Sequence, residues 1–164
     1  KVAAQKSGFA VMRSMTVLPV AGSSAQRSDD LRAGERGLKV GDVVEIHATV
    51  TSDVPRSNVA LVVPFAAGLE PLNAALKTAS SEAIPTERDT AAPSYVQRLD
   101  HEARYYFDRL PKGTFSVHFR VKATTPGSYT HPPEYAELMY DEAVRGRSDG
   151  MRVIVTRGAE QGAP

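Results

Sequence analysis

The sequence predicts an all-β fold, a two-sheet antiparallel β-sandwich with long loops and at most short helical turns. Three observations lead there. Apolar residues recur at every second position in six separate segments, the mark of strands with one dry and one wet face. Clusters of Gly, Pro, Asp and Ser bound these segments and turn the chain. No long helix is suggested between them, so the strands must cover one another's apolar faces, which two packed sheets do.

The first strand is predicted over 9–18. The second, 43–50, follows Gly41-Asp42 and turns Val44, Ile46, Ala48 and Val50 inward, with Ser52-Asp53-Val54-Pro55 after it. Segment 58–63 buries Val59, Leu61 and Val63. Ala60 and Val62 are apolar as well, so its outer face is also expected to be covered. Segment 102–108 turns Ala103, Tyr105 and Phe107 inward and leaves Tyr106 on the opposite face. The clearest alternation is 114–123, where Phe115, Val117, Phe119, Val121 and Ala123 interleave with Thr114, Ser116, His118, Arg120 and Lys122. Leu110-Pro111-Lys112-Gly113 places Pro second and Gly fourth, as a type I turn prefers, and is expected to join these last two strands as a hairpin. The set closes at 151–156, with Met151, Val153 and Val155 inward.

Three stretches stand outside this pattern. Residues 21–39 are rich in Ser, Gly, Arg and Asp, and residues 68–96 hold Pro71, Pro85 and Pro93. Both read as long connections, with mobile loops at about 21–39 and 77–96 and a helical turn over 74–79. The third stretch, 124–150, contains Gly146-Arg147-Ser148-Asp149-Gly150, which reads as a turn entering the last strand.

The chain has 164 residues, 41% of them hydrophobic and 24% charged, enough for a single folded domain with its core over about 8–157. It begins at Lys1 and reads as a fragment of a larger, multidomain protein. Basic and acidic residues number 20 and 19 and are interleaved, so no nucleic-acid partner is expected. There is no cysteine, which excludes disulfides, thiolate metal sites and a cysteine nucleophile. No apolar run is long enough to cross a bilayer. His47, His101, His118 and His131 lack metal-ligand spacing and are expected in solvent. No Gly-x-Ser-x-Gly elbow occurs, and neither an enzyme nor a cofactor or metal site is expected.

Several motifs carry a resemblance. They are Gly68-Leu69-Glu70-Pro71-Leu72-Asn73, the Leu110–Gly113 turn, Lys122-Ala123-Thr124-Thr125-Pro126-Gly127, Pro132-Pro133-Glu134-Tyr135-Ala136-Glu137-Leu138-Met139-Tyr140 and Arg145-Gly146-Arg147-Ser148. From about 43 to 155 the chain resembles the C-terminal macroglobulin-like domain of bacterial alpha-2-macroglobulins. One departure is Lys122, where the family often has Arg. The resemblance implies a macroglobulin or immunoglobulin-like sandwich in a large periplasmic protein, tethered to the inner membrane by a lipid anchor elsewhere in the parent. In that family a bait segment is cleaved, the molecule rearranges, and a Cys–Gln thioester in a neighbouring helical domain captures the protease. The expected partners are therefore the thioester domain, neighbouring macroglobulin-like domains, and target proteases captured by the whole molecule.

The family's thioester lock is a Met-Tyr pair, which maps onto Met139 and Tyr140. Tyr135 and Leu138 join them as an apolar cluster on a Pro-flanked loop, with Tyr135 the most structural of the four. The residues alone allow another reading: Tyr135, Leu138 and Met139 fall at i, i+3 and i+4, the spacing of one amphipathic helical turn on the chain's own sandwich. Arg145 and Arg147 are expected on a solvated surface. A free-standing immunoglobulin-like adhesion or ligand-binding module of the cell envelope is the alternative to the protease trap.

Overall fold

The computed structural model describes residues 3–18, 34–73, 81–86, 88–90 and 92–157. Among them, alternation becomes strand wherever a neighbour takes up the backbone hydrogen bonds. The strands are β1 (Gln5–Ser7), β2 (Phe9–Leu18), β3 (Glu35–Lys39), β4 (Val43–Ser52), β5 (Arg56–Pro64), β6 (Leu69–Leu72), β7 (Tyr95–Arg98), β8 (Glu102–Leu110), β9 (Gly113–Ala123), β10 (Gly127–His131), β11 (Tyr135–Leu138), β12 (Asp141–Arg147) and β13 (Met151–Thr156). A single 3-10 turn, Ser81–Ala83, precedes β7.

The all-β prediction holds, and the strands form three hydrogen-bonded sheets where two were expected. In order, β1-β12-β11-β5-β8-β7 make a six-stranded sheet, β2-β4-β9-β6 a four-stranded sheet and β10-β13-β3 a three-stranded sheet. The ladders are antiparallel except between β13 and β3, which run parallel. Each of the six predicted strands is present, two of them, β2 and β13, with the predicted bounds. The stretch read as a connection over 21–39 ends in β3. The stretch over 68–96 holds β6, the 3-10 turn and the start of β7. Residues 21–33 and the helical turn expected over 74–79 lie outside the described residues.

The Leu110–Gly113 turn does not make a hairpin. It carries the chain from β8 in the six-stranded sheet to β9 in the four-stranded sheet. A turn signature states that the chain reverses; it does not state which sheet receives the next strand. The link from β4 to β5 makes the same crossing in the other direction. Arg56 pairs with Leu110 in one sheet and Ser52 with Gly113 in the other, so the two crossings lie side by side.

One contiguous core takes residues from all three sheets. Val44, Ile46, Ala48 and Val50 of β4, with Val117 and Val121 of β9, face Val59, Leu61 and Val63 of β5 and Tyr105 and Phe107 of β8. Leu38, Val153 and Val155 bring the three-stranded sheet into the same cluster. Burying each Val, Leu, Ile or Phe among them stabilises by about 1.5–3 kcal/mol relative to leaving it exposed. The outer phase of β5 is covered too, as expected, because β5 is an interior strand. In register, Tyr106 and Glu137 flank Ala60, and Arg104 and Tyr135 flank Val62.

Residues 82–86 and 88–90 lie against the four-stranded sheet. The Thr86 amide donates to Glu45 Oε2 (2.8 Å), and Arg120 Nε donates to the same oxygen (2.9 Å). Arg120 also reaches the Glu82 carbonyl and the Thr86 hydroxyl. Further along, the Ser116 amide donates to Thr90 Oγ1, the Thr90 amide to the Ser116 carbonyl, and the His118 amide to Asp89 Oδ1. This cover overturns the expectation for one histidine: His118 is buried, stacked on its register partner His47 with ring centroids 4.3 Å apart. His101 is exposed, as expected.

Candidate functional site

The segment that carries the Met-Tyr pair is a β-hairpin. β11 runs between β5 and β12, paired on both sides. Successive side chains on a strand face opposite ways, so Tyr135 and Glu137 point to the outer face of the six-stranded sheet and Ala136 and Leu138 to the core. The helical-turn reading is therefore overturned: sheet pairing on both flanks overrides a spacing that a four-residue segment shows by chance. Met139 and Tyr140 form the two-residue tip before β12 begins at Asp141.

The pairing explains the motif. Tyr135 stands opposite Arg147, Ala136 opposite Gly146 and Glu137 opposite Arg145. Tyr-Ala-Glu and Arg-Gly-Arg are thus two sets of rungs, charged and aromatic on the outer face, small on the inner one. The small pair is required sterically, since a Cβ on Gly146 would fall 2.1 Å from the Phe9 carbonyl oxygen. Gly146 and Arg147 belong to β12, and the link read as a turn is confined to 148–150.

The four candidate residues do not form one cluster. Leu138 packs on the core. Tyr135 is half-buried on the outer face, where burial, with Glu137 and Glu102 near it, pushes its hydroxyl above the ordinary tyrosine value. Met139 and Tyr140 stand in solvent, 48% and 84% exposed, Tyr140 being the most exposed large hydrophobic side chain among the described residues. The tip is braced by its neighbours. The Met139 amide donates to the Asn58 carbonyl on β5 at 2.9 Å, and Ser7 Oγ on β1 donates to the Ala143 carbonyl of β12 at 2.8 Å.

Sequence reasoning missed the group at the hairpin's base. Glu134 and His131 are fully buried, and Ser148 nearly so. Arg13 of β2 donates through Nη1 to Glu134 Oε1 (3.1 Å) and to the Pro132 carbonyl (2.9 Å), and through Nη2 to the Asp149 carbonyl (2.7 Å). The Ser148 hydroxyl bonds Glu134 Oε2, and the Ser148 amide donates to the Glu134 carbonyl. The group joins the three sheets at one point, because β2, the β10–β11 link and the β12–β13 link meet there. Burial pushes the Glu134 carboxyl above the usual range, with Arg13 and Ser148 opposing. Burial, aided by the Arg13 charge, drives His131 down to about 3, so the imidazole is neutral. This corrects the expectation of a solvated His131. Its neighbours Pro132 and Pro133 hid it, since a His-Pro-Pro run reads as an open loop. The one trace in the sequence was that Glu134 and Ser148 sit inside the motif blocks.

Among the described residues no His, Asp or Glu side chains converge in a group of three that would hold a metal ion. What the site offers is an apolar tip on a braced stalk.

Residues 8–142 match the family model of the bacterial alpha-2-macroglobulin MG10 domain. An alpha-2-macroglobulin homolog of Nostoc is 28% identical over 118 residues, which is 72% of this chain and 6% of that protein. The chain spans less than a tenth of the length of the curated relatives it matches. Its fold is that of part of the Salmonella alpha-2-macroglobulin reacted with methylamine (TM-score 0.68, 18% identity, covering 94% of this chain and 10% of that one). It is similar too to part of a native Escherichia coli alpha-2-macroglobulin fragment spanning domain MG7 to the C-terminus (TM-score 0.67, 18% identity, covering 94% and 24%). With most of its length matched to that model, this chain belongs to the bacterial alpha-2-macroglobulin MG10 domain family.

Proposed function

We propose that this chain is the C-terminal, non-catalytic domain of a bacterial protease trap, packed against the thioester-carrying domain of its own polypeptide, with the Met139–Tyr140 tip covering the thioester. The observation that carries the reading is the exposed tip, held on a strand pair braced by β5 and β1. A large apolar pair presented at a fixed place suits a contact with a neighbour. A thioester persists only where water and amines are kept away. Methionine moulds to an irregular gap, and tyrosine adds a broad ring with a polar end that can be anchored. This chain has no cysteine, so the bond belongs to the neighbour.

The relatives support the reading: a Salmonella protein was solved after reaction with methylamine, and Escherichia coli proteins after activation by elastase and by trypsin. By the same reading the parent is periplasmic and lipid-tethered to the inner membrane, other macroglobulin-like domains are further neighbours, and proteases are captured by the whole molecule.

The test is the double substitution Met139→Ala/Tyr140→Ala in the intact parent. Both side chains are exposed, so the domain folds as before, while methylamine releases the thioester's thiol at least about tenfold faster. A double variant that keeps its thioester as long as wild type does would falsify the proposal.

A further inference from the structure

The tip does not set its own geometry. Two-residue hairpin loops ordinarily take primed turns, which require positive φ. Neither Met139 nor Tyr140 has it, and the register between β11 and β12 breaks between Glu137 and Leu138. The position of the tip is therefore imposed from outside, and the neighbour bonded to it is β5, through the Asn58 carbonyl.

Asn58 is itself irregular. Among the described residues it is the one non-glycine residue with positive φ, at 56°. It sits inside a nine-residue strand, where left-handed backbone is foreign. The β5–β8 ladder pairs Ser57 with Arg109 and Val59 with Phe107 and passes over Asn58. Asparagine tolerates this conformation where valine does not. A strand keeps such a residue only when its surroundings determine it, and such residues gather at functional places. Here the strained residue, the register break and the exposed pair lie together at one end of three adjacent strands.

We infer that Asn58 is a positioning residue: its left-handed backbone turns its carbonyl onto the Met139 amide and so aims the Met139–Tyr140 tip. The importance of that aim for docking rests on the function proposed above. The aiming itself stands on the geometry of this chain.

The experiment compares Asn58→Gly, which keeps left-handed backbone accessible, with Asn58→Val, which opposes it. Residue-resolved amide exchange is read in the 164-residue chain. Asn58→Gly is expected to match wild type at Met139. Asn58→Val is expected to speed Met139 exchange about tenfold or more while Leu61 and Val117 keep their protection. If the valine chain does not fold, Asn58→Ala, a milder block on the same backbone, takes its place. Met139 exchange within twofold of wild type in the folded Val or Ala variant overturns the assignment. In the parent, Asn58→Val is expected to shorten the thioester's lifetime toward that of the double alanine variant. Faster exchange with an unchanged lifetime would leave Asn58 as the aiming residue and sink the docking reading instead.

Discussion

His131 lies fully buried beside Glu134 and Arg13, 4.0 Å from the Glu134 carboxylate, and among the described residues neither ring nitrogen has a hydrogen-bond partner. Its folded value near 3 is below the ordinary imidazole value of 6.5, so the unfolded chain binds the proton first. Stability is thus fully present above about pH 6.5 and declines on acidification toward 3, by up to about tenfold in the folding equilibrium per pH unit. Glu45 adds to the loss below the ordinary carboxyl value of 4.5: burial acts to raise its carboxyl, but hydrogen bonds from Thr86 and Arg120 outweigh burial and hold it low. Glu134, held high, works in the opposite sense. The loss from His131 begins between pH 6.5 and 5, above the range in which Glu45 contributes. Denaturant melts of His131→Leu are expected to show a flatter pH profile than wild type across that interval; an unchanged slope would remove His131 as the cause. Tyr105 makes a second case. Its inward direction was legible from alternation, but its buried hydroxyl without a partner was not, since spacing reports direction and not satisfaction. Tyr105→Phe should leave the unfolding free energy from urea melts unchanged or raise it, by about 1 kcal/mol at most.

At the scale of elements, what was legible followed apolar alternation. β4, β5, β8 and β9 lie inside their sheets and bury most of one phase, so their residue types record it. β1, β7 and β12 are largely exposed, and a strand such as Asp-Glu-Ala-Val-Arg-Gly-Arg is made by its partners and not by its own pattern. For the same reason the hairpin was half legible. The Met-Tyr pair could be singled out, whereas the strand beneath it looked like a loop or a helical turn. The glycine of that hairpin gives a sharp test. Gly146→Ala drives a methyl into the Phe9 backbone, which cannot swing aside as a side chain does. A loss at or above the top of the ~1–3 kcal/mol usual for overpacking is expected. Urea unfolding measures it, and a loss under about 0.5 kcal/mol would show that β12 stands off from β2.

Across the whole molecule, the three sheets share one core, and the Arg13–Glu134–Ser148 group ties them where their connections meet. Such a structure unfolds as one unit. Leu61→Ala in the six-stranded sheet and Val117→Ala in the four-stranded sheet should each lower the same single transition, Leu61→Ala by about 2–5 kcal/mol. Calorimetry and circular dichroism would check this, and two separable transitions would contradict it. The described residues 82–86 and 88–90 have a consequence of another kind. With β6 along 120–123 and residues 89–90 along 116–118, much of the rim of β9 is already occupied. Pro85 and Pro93, near the two ends of that stretch, lack the amide needed to extend a ladder. A rim closed in this way gives a sibling sandwich little to stack upon, so a long polypeptide built of many such modules can leave the ribosome with less risk of its sheets fusing edge to edge.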